Sequence, residues 1–262
     1  ERIAIVVLEN PQSPQDIQLL IKPYKDIHLR HVFKEAIYGF SVEGNPESIE
    51  KLAEASKQII SVSPVNQYKA QGEEGVKIIG GEEVRGLFDK SNRRLTGKGI
   101  TVGVIDTGVD YTHPDLRRNY AGGRDLVDND TDPMETKTLG RATVHGTHVA
   151  GIIAANGKIK GVAPEAKILA YRALGPGGGG TTENVLAAIE QAIKDKVDIM
   201  NLSLGNDING PDLPISLALN RAVERGIVAI AASGNSGPDI WSVGSPGTAS
   251  KAISVGASTP TL

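Results

Sequence analysis

The spacing of apolar positions changes along this chain, and each change marks an element. Ile3 to Leu8 is an unbroken apolar run of strand length, Asn10 and Pro11 turn the chain, and a helical spacing runs from about Ser13 to Lys25. Ile27–Phe33 and Ala36–Val42 alternate as a strand pair does. Pro46 opens a second helix that extends to Lys57, and Ile59–Val62 follows as a last strand. Strand, helix, two strands, helix, strand is the ferredoxin-like order, so residues 1–72 are expected to form a small α+β unit. That fold is common, and pattern alone leaves an unrelated module of the same shape open.

Between residues 71 and 99, Gly72, Gly75, Gly80, Gly81, Gly97 and Gly99 lie among charged residues and predict a surface linker. From Ile100 the pattern becomes apolar strands alternating with amphipathic helices. Strands are expected at Ile100–Ile105, Ile168–Tyr171, Val197–Leu204, Ile227–Ala232 and Ala252–Gly256, and helices at His145–Ala155, Thr181–Lys196 and Pro211–Arg225. In the second of these helices Val185, Ile189, Ala192 and Ile193 share one face. The alternation predicts a mostly parallel α/β sheet with helices on both faces over residues 73–262. Open parallel sheets place their sites beyond the C-terminal strand ends, which is where the first of these strands delivers Asp106.

Composition narrows the classes. A chain of 262 residues can bury a sizeable core in one large domain or two smaller ones. A net charge of -3 argues against a general nucleic-acid binder, and no run of about eighteen apolar residues offers a membrane span. The absence of cysteine excludes disulfides, thiol catalysis and thiolate metal sites. Glycine at 31 positions against 4% aromatics suits sheets and turns with close backbone crossings. The chain opens at Glu1 on a strand-like run without a basic and apolar leader, so a secretion signal is expected to have been removed or never included.

Candidate chemistry sits in three motifs: Ile105-Asp106-Thr-Gly108, His145-Gly-Thr-His-Val-Ala-Gly151 and Ala232-Ser-Gly-Asn235. Singly, each has a structural explanation, since Asp, His and Gly-Asn are ordinary turn and capping residues. In this order, and with their neighbours, they resemble the subtilisin family of serine proteases. The family's Asp motif matches Val104-Ile-Asp106-Thr-Gly-Val-Asp110 running on to His113-Pro-Asp-Leu116, and its His motif matches His145 to Gly151. Its substrate strand matches Asn201-Leu-Ser-Leu-Gly205 and its oxyanion segment Ala232 to Asn235, so that the resemblance covers about residues 95 to 262.

The resemblance implies His145 as general base, Asp106 as its orienter and Asn235 as a side-chain oxyanion donor. The family's Gly-Thr-Ser-Met-Ala segment, which bears the nucleophilic serine, does not occur in the sequence and would lie beyond Leu262. The chain is therefore expected to be an incomplete catalytic domain, inactive alone, with the missing C-terminal part of the same protein as a partner. In front of such a domain, residues 1–72 resemble the inhibitory propeptide of a zymogen, expected to lay its tail, near Val65 to Gly75, in the substrate groove. The segment Val243 to Ala257 resembles larger subtilases of the Vpr type of minor extracellular proteases, which insert a protease-associated domain before the serine segment. A secreted endopeptidase acting on polypeptides is implied.

By the same resemblance, an extended substrate pairs with Ser203, Leu204 and Gly205 on one side and with Gly178, Gly179 and Gly180 on the other, while Ala232, Gly234 and Gly244 wall the primary pocket. Small residues there leave room for a sizeable apolar side chain. No organic cofactor is expected. Calcium is a candidate: Asp125, Asp128, Asp130 and Asp132 could supply oxygen ligands or form a solvated loop. Asp115 matches a ligand of subtilisin's strong calcium site, although the loop that supplies most of that site is shorter here. His148, one turn from His145, raises a metal pair, but the residues between are Gly and Thr, with no zincin Glu. The glycine run Gly175–Gly180 lacks the Lys of a phosphate-binding loop. Two rivals stay open: a pseudoprotease that binds peptide without cutting it, and a split enzyme whose serine helix comes from a second polypeptide.

Overall fold

The computed structural model describes residues 2–70 and 79–258. Its first unit comprises β1 (Arg2–Leu8), α1 (Pro14–Ile21), β2 (His28–Phe33), β3 (Gly39–Gly44), α2 (Pro46–Leu52) and β4 (Ile59–Pro64). The four strands form an antiparallel sheet in the order β2-β3-β1-β4, the ferredoxin-like arrangement. Both helices are shorter than the apolar spacing predicts. α1 begins after Ser13, whose hydroxyl accepts the Asp16 amide at 3.1 Å, and ends at Ile21, ahead of Pro23. α2 ends at Leu52 and not at Lys57, because the chain must reverse in a few residues to lay Ile59 beside Leu8.

Next come β5 (Gln67–Ala70), the single-turn α3 (Gly81–Val84), β6 (Thr101–Asp106), β7 (Tyr120–Asp125), α4 (His145–Ala154), β8 (Lys167–Arg172), β9 (Gly179–Thr181), α5 (Thr182–Lys194), β10 (Ile199–Leu202), β11 (Leu204–Gly205), α6 (Pro214–Glu224), β12 (Val228–Ala232) and β13 (Ile253–Val255). Six of these strands form one parallel sheet in the order β13-β12-β10-β6-β8-β7. α4 covers one face, packing Val149, Ala150 and Ala154 against Val102, Val104, Ile168 and Ala170. α5 and α6 cover the other, packing Val185, Ile189, Ile215 and Leu219 against Ile105, Tyr171, Met200 and Leu202. Neighbouring side chains on a strand point to opposite faces, so Val104 and Ile105 serve different layers. Among the described residues no helix is long and apolar enough to cross a membrane.

β7 is an edge strand that the sequence pattern does not announce. Its middle is Gly122-Gly123, and a Cβ on Gly123 would lie 1.8 Å from the Ala170 carbonyl oxygen, so close pairing with β8 requires glycine where strand propensity would ask for bulk.

The same alternation ties the two units together. On β1, Ala4, Val6 and Leu8 face α1 and α2, where they meet Ile17, Ile21, Ile49 and Leu52. Ile5 and Val7 face the other way and join Phe33, Ala36 and Ile37 in the core that α5 and α6 share. The first sheet is thus apolar on both faces. The expected boundary between residues 72 and 73 lies outside the described residues.

Candidate active site

Asp106 ends β6 and is fully buried. Its Oδ1 accepts the Thr107 amide at 2.7 Å and lies 2.8 Å from His145 Nδ1. His145 is the first residue of α4, with its side chain 20% exposed, and the Nδ1 edge of its imidazole meets the buried carboxylate. Two glycines permit this approach. A Cβ on Gly146 would sit 2.1 Å from the Gly108 carbonyl oxygen, and Gly108 itself has φ 107° with Pro133 and Met134 carbonyls packed where its Cβ would be.

α4 has no side-chain cap of its own, because Val144 occupies the N-cap position. Other segments supply the acceptors: Thr107 Oγ1 takes the Gly146 amide and Glu135 Oε1 takes the Thr147 amide, each at 2.9 Å. Neither residue stood out in the sequence. Thr107 lies inside the Asp motif, but nothing in the spacing marks Glu135.

Asn235 lies beyond β12, just after Gly234, whose φ of 105° turns the chain there, and is exposed. Together with Asn201, Ser203, Ala232 and Gly234 it lines a cavity of about 250 Å³ at the ends of β10, β12 and β13. β10 separates β12 from β6, so the two strand ends stand about 10 Å apart along the sheet, the width of two strand spacings. Gly244 is not among the lining residues. It stands behind Gly234, donating its amide to the Ser233 carbonyl at 3.1 Å, and a Cβ on it would meet the Asn206 oxygen at 1.7 Å.

A strand of the same chain lies between the two segments expected to bind substrate. β5 is the middle strand of a three-stranded antiparallel sheet, with Ala70 and Lys69 opposite Leu204 and Gly205 of β11, and Gln67, Tyr68 and Lys69 opposite Thr181, Gly180 and Gly179 of β9. The ladder is narrower than expected on both sides. Ser203 falls between β10 and β11, where its Oγ accepts from Asn201 Nδ2 at 3.0 Å, and Gly178 closes a 3-10 turn with φ 78° before β9 begins. Gly180 must be glycine, since a Cβ would lie 2.4 Å from the Ala173 oxygen. The rest of the expected tail, residues 71–75, lies outside the described residues.

The first unit is held over α5 and α6 by carboxylates. Glu190, buried, accepts the backbone amides of Glu35 and Ala36 at 2.8 and 2.6 Å. Glu183, also buried, meets Arg30 Nε at 3.0 Å, Ser41 Oγ at 2.8 Å and His31 Nε2 at 3.1 Å. From α6, Arg221 stacks 3.9 Å over the Tyr38 ring and donates to the Glu35 carbonyl.

The acidic residues considered for calcium have other partners. Asp125 and Asp128 both bind Arg172 at 2.6 Å, Asp130 accepts the Asp132 amide, and Asp132 accepts the Tyr111 hydroxyl. Both oxygens of Asp115 accept backbone amides, from Lys158 at 2.9 Å and Ile159 at 3.1 Å, and these bonds hold its carboxyl below the ordinary value. Donors thus face Asp115 from the short loop after α4. Among the described residues no three His, Asp or Glu side chains converge as metal ligands. His113 Nδ1 accepts the Asp115 amide at 3.2 Å, and His148 is exposed.

Comparison with known proteins agrees with this geometry. The profile of the subtilase family matches residues 97–261. The chain is 48% identical over 253 residues to the minor extracellular protease Vpr of Bacillus subtilis, covering 90% of this chain and 31% of that protein. It is 34% identical to the serine protease AprX of the same organism, covering 83% of this chain and 50% of the relative. Among solved structures, fervidolysin from Fervidobacterium pennivorans, described as a keratinolytic enzyme related to subtilisin, aligns with a TM-score of 0.72 at 25% identity, over 94% of this chain and 41% of its own. The chain therefore spans from a third to a half of the length of these relatives. A parallel sheet that brings a buried Asp against the His at the head of α4, inside a profile match covering most of the second unit, places the chain in the subtilase family.

Proposed function

We propose that the protein is a secreted serine endopeptidase of the subtilisin type, and that residues 1–72 are its propeptide. The observation that carries the reading is the 2.8 Å contact between His145 Nδ1 and Asp106 Oδ1. With Nδ1–H donated to the carboxylate, the imidazole is fixed in the tautomer whose Nε2 can take a proton from a serine hydroxyl, and the imidazolium that results is stabilised by the adjacent charge. Asn235 supplies a donor to the oxyanion. The serine is expected from a Gly-Thr-Ser-Met-Ala segment, which these residues do not contain.

Polypeptide is the substrate class. The groove between Gly179–Thr181 and Leu204–Gly205 offers main-chain partners on both sides, a mode that accepts many sequences. β5 pairs antiparallel with both sides of that groove, and the carboxylates of Glu183 and Glu190 hold the unit from which it extends, which supports an inhibitory role for that unit. Secretion follows the name of the relative at 48% identity.

The test is labelling by a serine-directed fluorophosphonate. The complete gene product, freed of its N-terminal unit, is expected to label, the same protein carrying His145→Ala is expected not to, and the 262-residue chain is expected not to. A folded, processed complete protein that binds peptide and never labels would establish the pseudoprotease instead.

A further inference from the structure

Glu135 stands outside every motif of the sequence, yet its carboxylate is buried against the start of the helix that carries His145. Oε1 accepts the Thr147 amide and the Thr147 hydroxyl, both at 2.9 Å, and Oε2 accepts the Thr143 hydroxyl at 2.6 Å. Thr147 Oγ1 already accepts the Asp110 amide at 2.8 Å and Thr143 Oγ1 the Thr136 amide at 3.0 Å, so each hydroxyl turns its proton toward Glu135. The Thr147 amide and the two threonine hydroxyls thus converge on the Glu135 carboxylate.

The loop that holds Glu135 is closed by its own backbone, Thr143 N donating to Thr136 O at 3.0 Å, and it abuts the lead-in to β9, where Gly177 N donates to the Arg141 carbonyl at 2.8 Å. α4 has no side-chain cap of its own, and the positive end of its dipole lies next to His145, where the Gly146 and Thr147 amides take their acceptors from other segments. An uncompensated positive end disfavours the imidazolium.

We propose that Glu135 is a positioning residue for His145: it caps α4 in place of the missing N-cap side chain, fixes the helix start against the Asp106–Asp110 turn, and supplies the negative charge that offsets the helix dipole where the imidazole must become cationic. The inference rests on His145 acting as the base. It predicts an effect on the imidazole in addition to any effect on stability.

The experiment is an NMR titration of the assigned His145 ring in the 262-residue chain, with variants Glu135→Gln, Glu135→Asp and Asp106→Asn. The His145 midpoint is expected to fall by about half a pH unit or more in E135Q, where the charge is lost, and to lie between parent and E135Q in E135D, where the charge is kept but withdrawn. The other charged groups of the junction, Asp110 with Lys137 and His113 near it and His148 one turn along α4, are the same in every variant. A midpoint unchanged across the folded Glu135 variants, whatever their thermal stability, overturns the proposal. If E135Q does not fold, E135D against the parent decides alone. D106N separates the two levels: a midpoint that ignores D106N sinks the Asp–His reading itself, whereas a response to D106N without one to Glu135 sinks only the positioning role.

Discussion

Glu190 reaches across from α5 to accept the amide of Ala36 at 2.6 Å, and the neighbouring amide of Glu35 binds the same oxygen. The contact reads main chain and no side chain of the first unit, so it depends on backbone shape. It is also buried, which makes its loss costly: the amides would be left without an acceptor.

Glu190→Ala is accordingly expected to weaken the docking of the first unit by about 2–3 kcal/mol, with Glu190→Gln in between. Hydrogen exchange at Glu35 and Ala36 checks this directly. Faster exchange at those amides, with the amides of β6 and β8 unchanged, is the expected result, and equal protection in parent and variant would contradict it.

In the complete protein, Asp106→Asn is expected to lower kcat about 10⁴-fold by removing the acceptor that selects the imidazole tautomer, the magnitude known for the corresponding Asp of trypsin-like enzymes. Asn235→Ala is expected to cost about 10²–10³ in kcat, the magnitude known in subtilisin, with little change in KM, because the donor acts on charge that develops only in the transition state. Steady-state kinetics on a peptide substrate separates the two. A KM effect alone at Asn235 would assign it to ground-state binding.

Gly146→Ala would place a methyl 2.1 Å from the Gly108 carbonyl oxygen. The start of α4 must then move away from Asp106. The expected loss is about 2 kcal/mol of stability, measured by urea unfolding, together with loss of the low-field His145 Nδ1 proton resonance. A variant that kept both would show that the contact tolerates more space than the geometry allows.

Asp115 gives a pH dependence with a defined sign. The amides of Lys158 and then Ile159 hold its carboxyl below the ordinary value in the folded chain. A lowered native value means that the unfolded chain binds its proton first as pH falls. This contribution is present above the unfolded carboxyl value, near 3.8, and is lost as pH drops through the native one. Asp115→Asn is therefore expected to be less stable at neutral pH and to show a flatter acid limb in thermal melts taken between pH 2 and 6. An unchanged acid limb would mean that other carboxylates govern it.

The parts of the fold that depend on repeating side-chain patterns were legible. β1 is read from its apolar run, β6 from Ile100 to Ile105, and α5 from Val185, Ile189, Ala192 and Ile193, because burial on a face imposes a period. β7 was not, since glycine there answers to the neighbouring backbone and not to a face. α2 begins at Pro46 as its spacing suggests but stops short of Lys57, because helical spacing persists past Leu52 while strand pairing forces the chain to turn. At the candidate site, Asp106 and His145 were visible because short motifs flank them. Glu135 was invisible, since its role arises from a loop folding back over α4, and a carboxylate that caps a distant helix leaves no periodic trace in the sequence.

The two-faced first sheet separates two events that would otherwise be one. Severing the chain anywhere in residues 71–78 would remove a covalent tether, but Ile5, Val7, Phe33, Ala36 and Ile37 would still be embedded among the side chains of α5 and α6. A nicked molecule should elute as a single particle until that shared apolar layer parts, so liberation of the groove is governed by an unbinding rate and not by the cut.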